Sequence, residues 1–399
     1  MRGLGRLLGG SAPAVEARAV GNIWGDWPGD GGSSTWSGVS VTADSALQLL
    51  AVYGSVRLIS DQISTLPIDC YRELSDGSKV EFTKPGWLSE PTVDLTFAEW
   101  CSQVLSSLLL HGNAYVTVLR GDRGSIVELI PLDPTVVRVR RISGRKTYEV
   151  NGVVYPGEIV HIKGLMLPGS DVGLSPVEAA RQSIGLGLST AEYGSKFFDG
   201  DGNMPGVIEI PSKAQPEMMA AMAEHWKKKR SRRGKGLPGV LESGATWKPT
   251  GVTNEQAQFL ATRKFTAAEI AGQMFLLDPS DLGIPVEGTS LTYANLEQRN
   301  ARRVQVTLLP WIIRIEKALS ALLFEPRYMK FNVEGLLRGD TLNRFQSYAL
   351  AEQINASAAA RGEAPLFKTT EMREREDLPP LPDLPAPPPP PATNEVLIP

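Results

Sequence analysis

Two capped helical stretches, one on each side of residues 200–252, constrain this chain more than any other feature. Ser175-Pro176-Val177-Glu178 reads as a capping box with proline at the first helical position. No proline interrupts from there to Asp199, and Gly200 stands where a left-handed cap would sit. At 1.5 Å per residue, a helix over 175–199 spans roughly 37 Å. Thr253-Asn254-Glu255-Gln256 is a second capping-box pattern, opening a helix expected to run to about Phe275. The segment between has its own elements: a strand over 206–210, a helix over 215–229, and β segments at 240–242 and 245–248 around Ser243-Gly244. Two long helices with a small domain at their far end make a stalk with a head. A lone stalk cannot bury both faces; stalks side by side in a ring can.

The rest of the chain reads as an α+β protein. Residues 1–40 are rich in Gly, Ser and Trp, with Trp24, Trp27 and Trp36 in a turn-forming background, and are expected to be a poorly ordered arm. A helix is expected over 44–66, with Asp44 as its cap, Leu49, Val52, Val56, Ile59 and Ile63 on one face, and Pro67 ending it. A strand pair follows at 68–72 and 79–82, then a helix capped by Thr96-Phe97-Ala98-Glu99 that buries Trp100, Val104 and Leu108. From Asn113 to Lys163 the period falls to two, which predicts an antiparallel meander of short strands with a hairpin at Asn151-Gly152. Residues 276–290 form a long loop shaped by Pro279, Gly283, Pro285 and Gly288. A helix over 291–324 is expected to kink at Pro310. A short strand at 331–333 and helices at 341–354 and 370–376 follow, then a proline-rich extended tail.

No catalytic constellation stands out. His111, His161 and His225 lack metal-ligand spacing to each other or to Cys70 and Cys101, which read as reduced core residues. Gly54-Ser55 and Gly194-Ser195 lack the flanks of a nucleophile elbow. Gly185-Leu186-Gly187 lies inside a helix, where glycine suits close approach between helices rather than a dinucleotide. No catalytic residue, metal site or cofactor is therefore expected. No apolar run has the length of a membrane span. The formal net charge of -3 argues against a protein that coats nucleic acid with bulk positive charge. The one basic run, Lys227, Lys228, Lys229, Arg230, Arg232, Arg233 and Lys235, reads either as a solvated helix end or as a docking surface for DNA or an acidic partner. It has no interleaved aromatic residue for base stacking.

The order of these parts resembles the portal proteins of tailed bacteriophages, in the compact branch typical of long-tailed phages. The residues that carry the resemblance begin with Ala51-Val52-Tyr53-Gly54-Ser55-Val56-Arg57-Leu58-Ile59-Ser60 and Ser64-Thr65-Leu66-Pro67. They continue with Leu110-His111-Gly112-Asn113-Ala114-Tyr115, Gly173-Leu174-Ser175-Pro176, Phe259-Leu260, Arg263-Lys264-Phe265 and Glu269-Ile270-Ala271. Thr292-Tyr293-Ala294-Asn295-Leu296-Glu297-Gln298, Gly339-Asp340 and Leu378-Pro379-Pro380 complete them. Each motif is weak alone; their order from about Asp44 to Pro382 is specific.

The resemblance implies a portal fold: an N-terminal arm (1–40), a wing (41–174), a stem of two helices (175–199 and 253–275), and a small α/β clip (200–252). It further implies a channel loop (276–290), a long kinked helix returning to the wing (291–334), a helical crown (335–376) and a disordered tail (377–399). It implies a ring, usually of twelve subunits, at one capsid vertex, assembled in the host cytoplasm. Double-stranded DNA would be packaged and ejected through the ring. The terminase large subunit, the head-tail connector, and the major capsid protein with its scaffold would be its partners. The channel loop would present Asp278, Asp281 and Glu287, its only charges, to the phosphate backbone and repel it. An ordinary surface loop with solvated acids is the plainer reading. Arg181, Glu192, Lys196, Arg263, Lys264 and Glu269 are the channel-facing candidates on the stem. Their sparse and mixed charge suits a conduit, because every neutralised phosphate adds affinity and would slow the duplex. The ring of a gene-transfer particle or defective prophage fits the same residues; a scaffold ring without DNA passage is the rival from another class.

Overall fold

The hydrophobic stripe expected over 44–66 divides into two helices. α1 (Ala43–Leu47) is opened by a capping box between Thr42 and Ser45, not by Asp44. α2 (Leu50–Ser64) starts after Leu49, whose extended backbone breaks the run. The break turns Leu49 onto Gly187, where an added Cβ would lie 3.0 Å from Leu49 Cδ1. Tertiary packing thus overrides a stretch whose local propensity is continuous. The computed structural model describes residues 35–75, 77–199, 206–209, 246–249, 255–285, 293–337, 341–365 and 368–375, with isolated positions between 217 and 224. The chain divides into two units, residues 1–333 and 334–399.

In the first unit, Val52, Ile59 and Ile63 of α2 are fully buried and pack against α4 (Phe97–His111), which follows the short α3 (Gly86–Ser89). The Thr96–Glu99 capping box forms as expected, and Trp100, Val104 and Leu108 are buried. Trp100 Nε1 donates to the Leu129 carbonyl at 2.9 Å, so the indole is buried with its one polar atom satisfied. β1 (Ile68–Glu73) pairs antiparallel with β2 (Lys79–Glu81) on one side and β11 (Arg327–Phe331) on the other. Cys70 and Cys101 are buried free thiols, pushed up to about 11 and about 12 by burial.

The strands between Asn113 and Lys163 do not form one meander. β3 (Asn113–Arg120) is buried over its first six residues and takes antiparallel partners on both edges, β4 (Ile126–Leu132) and β8 (Glu158–Lys163). β5 (Val137–Ile142), β6 (Arg145–Val150) and β7 (Val153–Val154) make a separate antiparallel sheet. The Asn151-Gly152 hairpin forms, with φ of 51° and 79° as a type I′ turn requires. β8 returns to β3 because an apolar strand buried on both faces needs its two edges covered.

The chain then enters α5 (Pro176–Ala179), where Ser175 Oγ accepts from the Glu178 amide at 3.2 Å. Ala180 is non-helical, so the long helix begins again as α6 (Arg181–Asp199). β9 (Gly206–Glu209) and β10 (Thr246–Pro249) pair antiparallel, matching the strands expected at 206–210 and 245–248. The expected segment at 240–242 and most of the helix over 215–229 lie outside the described residues. α7 (Glu255–Glu269) leads into a π-helical turn, Ile270–Met274. The long helix after the loop is α8 (Tyr293–Arg302), a second π turn (Arg303–Leu308) and α9 (Leu309–Ser320). Pro310 sits in the first turn of α9, so the irregularity it imposes is taken up by the π turn just upstream.

Three observations depart further from expectation. Residues 35–40 are not a loose arm, since Thr35 is 5 % exposed and packs where a Cβ on Gly185 would lie 2.5 Å from its Cγ2. The strand near 331–333 is earlier and longer, at Arg327–Phe331. In the second unit, which opens with α10 (Glu334–Leu337), α11 (Thr341–Ala360) runs past the expected end at 354. It buries Ala351 and Ala358, and α12 (Thr369–Arg375) follows.

The junction between α4, β3 and the start of α5 is held by one side chain. Asn113 Nδ2 donates to the carbonyls of His111 (3.1 Å) and Gly173 (2.8 Å). Its Oδ1 accepts from the Gly173 amide (2.6 Å) and from His161 Nε2 (2.9 Å), so all four of its hydrogen-bonding positions are used. That arrangement fixes the His161 tautomer: Nε2 carries the proton and Nδ1 accepts from Lys146 Nζ at 3.0 Å. Gly112 has φ 70°, and a Cβ there would lie 2.0 Å from the Leu174 carbonyl oxygen. Ser175 Oγ closes the joint by donating to the Leu110 carbonyl at 2.8 Å.

Gly112→Ala should therefore cost several times more stability than a substitution at an open left-handed glycine. Gly124→Ala, at φ 74° with open space around it, should cost only the left-handed strain of about 1–2 kcal/mol. Thermal unfolding of the two variants in parallel checks this; equal losses would mean that the contact with Leu174 carries nothing. A pH dependence also follows. Burial, then the charges of Lys146 and Lys163, push the His161 imidazole down to about 3. The folded state thus prefers neutral His161, and its contribution is complete above the ordinary histidine range. It is lost as pH falls from about 6.5, at up to about 1.4 kcal/mol per pH unit. Denaturant unfolding between pH 7.5 and 5 should show this slope, and His161→Gln should reduce it, leaving the smaller part due to His111, whose imidazole burial also pushes down.

Candidate functional site

α6 and α7 pack on each other, and the glycines of α6 set how closely the chain approaches it. A Cβ on Gly194 would lie 2.5 Å from Phe259 Cζ on α7, and one on Gly187 would meet Leu49 and Thr266. These glycines accommodate the protein's own helices. Tyr193 and Phe259 rings lie 6.2 Å apart, with the Arg263 guanidinium 5.8 Å from the Phe259 ring. Ile184, Ile270 and Ala271 are buried. By contrast Leu186, Tyr193, Leu260 and Phe265 remain exposed, Phe265 at 68 %. The antiparallel helix pair thus leaves a sizeable apolar surface uncovered within one copy of the chain.

The stem candidates do not converge on one face. Arg181 lines an open groove of about 710 Å³ at the foot of α6, with His111, Arg138, Arg140 and Glu178. Glu192, Arg263 and Lys264 are exposed, while Glu269 is partly buried. Arg263, Lys264 and Glu269 stand at about 0°, 100° and 240° around a helix, so no single surface can present all three. The side chain of Lys196 lies outside the described residues, as do Glu287 and the basic run Lys227, Lys228, Lys229, Arg230, Arg232 and Arg233.

The loop after α7 is where charge gathers. Leu276 takes φ 56°, and its carbonyl accepts from Thr307 Oγ1 of the second π turn at 2.5 Å. Asp278 caps a 3-10 turn (Pro279–Leu282), its Oδ1 accepting from the Ser280 amide (3.0 Å) and Oγ (2.6 Å). Burial raises the Asp278 carboxyl, but the Ser280 hydrogen bonds and the charges of Arg299 and Arg302 outweigh it and hold it below the usual carboxylate range. Arg299 Nη2 lies 3.3 Å from Asp278 Oδ1 and 3.8 Å from Asp281 Oδ1, and Arg303 Nη1 lies 3.3 Å from Asp281 Oδ1. Asp278 and Asp281 are therefore not bare charges, and the base of the loop is close to neutral. Arg299 and Arg303 were not among the residues singled out in the sequence. Their spacing of four on a helix, matched to carboxylates three apart, is the signal that could have found them. Leu282 docks the turn on α2, with Cδ2 3.4 Å from where a Gly54 Cβ would stand.

A model of the phage portal protein family matches residues 50–377. The chain is 35 % identical over 381 residues to a probable portal protein of Streptomyces phage phiC31, covering 88 % of this chain and 79 % of that one. It is 28 % identical over 361 residues to the portal protein of Enterobacteria phage HK97, covering 86 % and 82 %. Among solved structures, an HK97-family phage portal protein from Corynebacterium diphtheriae superposes with a TM-score of 0.57 at 16 % identity, covering 73 % of this chain and 95 % of that one. A chain from the neck of a native gene transfer agent particle, computed with C12 symmetry, superposes with a TM-score of 0.53 at 22 % identity, covering 86 % and 95 %. By its sequence from α2 to beyond α12, and by the fold that carries it, this chain belongs to the phage portal protein family.

Proposed function

We propose that copies of this chain form the portal ring at one vertex of a phage capsid, twelve in the assembled particle, and that double-stranded DNA is packaged and ejected through its centre. The portal function itself comes with family membership. The observation that carries the ring is the exposed apolar surface of α6 and α7, with Leu186 47 %, Leu260 57 % and Phe265 68 % exposed. Neighbouring copies are the natural cover, and the twelvefold neck of the structural relative supports the number. In this reading residues 41–174 are the wing, 175–199 and 253–275 the stem, and 200–252 the clip. Residues 276–290 are the channel loop, 291–334 the return helix and 335–376 the crown, with 1–40 and 377–399 as terminal arms.

The clip would meet the terminase large subunit during packaging and the head-tail connector afterwards, with the basic run 227–235 as its docking surface. The wing would face the major capsid protein and scaffold. The virion is the final location, reached from assembly in the host cytoplasm. A net charge of -3 and a loop base neutralised within the chain suit a channel that must not hold the duplex.

Phe265→Asp should break the ring. Losing one buried Phe contact costs about 2 kcal/mol per interface, roughly thirtyfold in affinity. Light scattering should then report monomers, while far-UV circular dichroism stays unchanged; an intact ring would sink the interface. Replacing Ser280–Gly288 by a short Gly linker should spare ring assembly but reduce the nuclease-protected DNA per particle. Normal packaging and retention would remove the loop from the channel.

A further inference from the structure

The ion pairs at the base of the loop have three features that a merely structural salt bridge would not need. First, they are loose. Contacts of 3.3 and 3.8 Å exceed the 2.7–2.9 Å of a strong charge-assisted bond, among the described residues neither arginine is bidentate to a carboxylate, and Arg303 Nη2 donates instead to Asn300 Oδ1 at 3.0 Å. Second, Nε of both Arg299 and Arg303 is buried without a hydrogen-bond partner among the described residues. Each guanidinium therefore has a fixed donor unsatisfied in the docked arrangement, a cost that is relieved if the side chain turns outward. Third, the surroundings are irregular where the arginines sit. Arg303 and Thr307 are both in a π turn, a geometry concentrated at functional sites, and Thr307 is bonded to the left-handed Leu276. Arg302, exposed beside them, adds a third cation at the rim.

We propose that Asp278 and Asp281 latch the loop against α8 by occupying Arg299 and Arg303, and that a DNA phosphate competes for these arginines and releases the loop. This rests on the reading that the loop faces the duplex. A phosphodiester presents two oxygens in the geometry that a guanidinium fork matches, so it can offer each arginine the bidentate contact that the carboxylates do not. The carboxylates are the competing anion. They keep the arginines from gripping DNA continuously and hold the turn down on Gly54 through Leu282 until a phosphate comes within reach. Thr307 and Leu276 anchor the other end, so the segment from Asp278 to Gly283 moves about a fixed point. Affinity at this place is therefore set by an exchange of partners for the same two cations and not by net charge.

The test uses the full-length protein with and without a short blunt DNA duplex at low salt. Amide hydrogen exchange over 277–285 should be slow in the free wild type and faster with the duplex. Asp278→Asn with Asp281→Asn should give fast exchange without DNA and no further change on adding it. That variant should bind the duplex severalfold more tightly, with an unchanged salt slope. Arg299→Gln with Arg303→Gln should also exchange fast, but bind no more tightly than wild type, its salt slope smaller by roughly two. Should either double variant fail to fold, Asp278→Asn alone, at the more exposed carboxylate, gives the same readouts at smaller amplitude. Wild-type exchange indifferent to the duplex, or an Asn variant that binds as wild type does, overturns the latch. Normal packaging after loop replacement would instead overturn the channel reading, so the two failures are distinct.

Discussion

The four hydrogen bonds of Asn113 are the constraint on which the first unit depends. They join the last turn of α4, the first residue of β3 and the backbone at Gly173, two residues before the cap of α5. The approach is so close that Gly112 and Gly173 leave no room for a Cβ: one added to Gly173 would lie 2.2 Å from the Gly112 carbonyl oxygen. A buried amide satisfied on all sides is rigid, and losing any one partner leaves a buried polar atom unpaired. The long helix α6 is therefore aimed by the sheet domain. The one nearby point where helical geometry lapses is Ala180, past the clamp.

From that fixed start α6 projects with its partner α7, and the contrast around the pair is informative. The contrast is between faces: Ile184, Thr266 and Ile270 are buried, while Leu186 and Phe265, beside them in the chain, are exposed, as are Tyr193 and Leu260 farther along. A helix pair with one face covered and another uncovered has stability to gain from neighbours, which is the physical basis for reading it as the stem of a ring.

The loop between α7 and α8 couples to the same framework. Its base touches α2 through Leu282, the second π turn through Thr307 and Arg303, and α8 through Arg299. A channel that passes a polyanion has to avoid both bare cations, which would bind it, and a rigid collar, which would block it. Under the proposed channel reading, arginines neutralised by their own loop meet the first condition, and a loop that a phosphate can release meets the second.

Much of this was legible locally. The capping boxes at Thr96 and the cap at Ser175, the Asn151-Gly152 hairpin, the strand pair at 68–82 and the apolar face of α2 all form where the sequence puts them, because each is decided by residues within a turn of one another. The order of motifs was enough to point to the portal family. What the sequence could not state is which distant residues meet. β8 leaves its hairpin neighbours for β3, helix 44–66 breaks so that Leu49 reaches Gly187, and the acids of the loop find Arg299 and Arg303. In each case local propensity is nearly indifferent. Burial of an edge, a side chain or a charge made the choice, and burial exists only once the whole chain has folded.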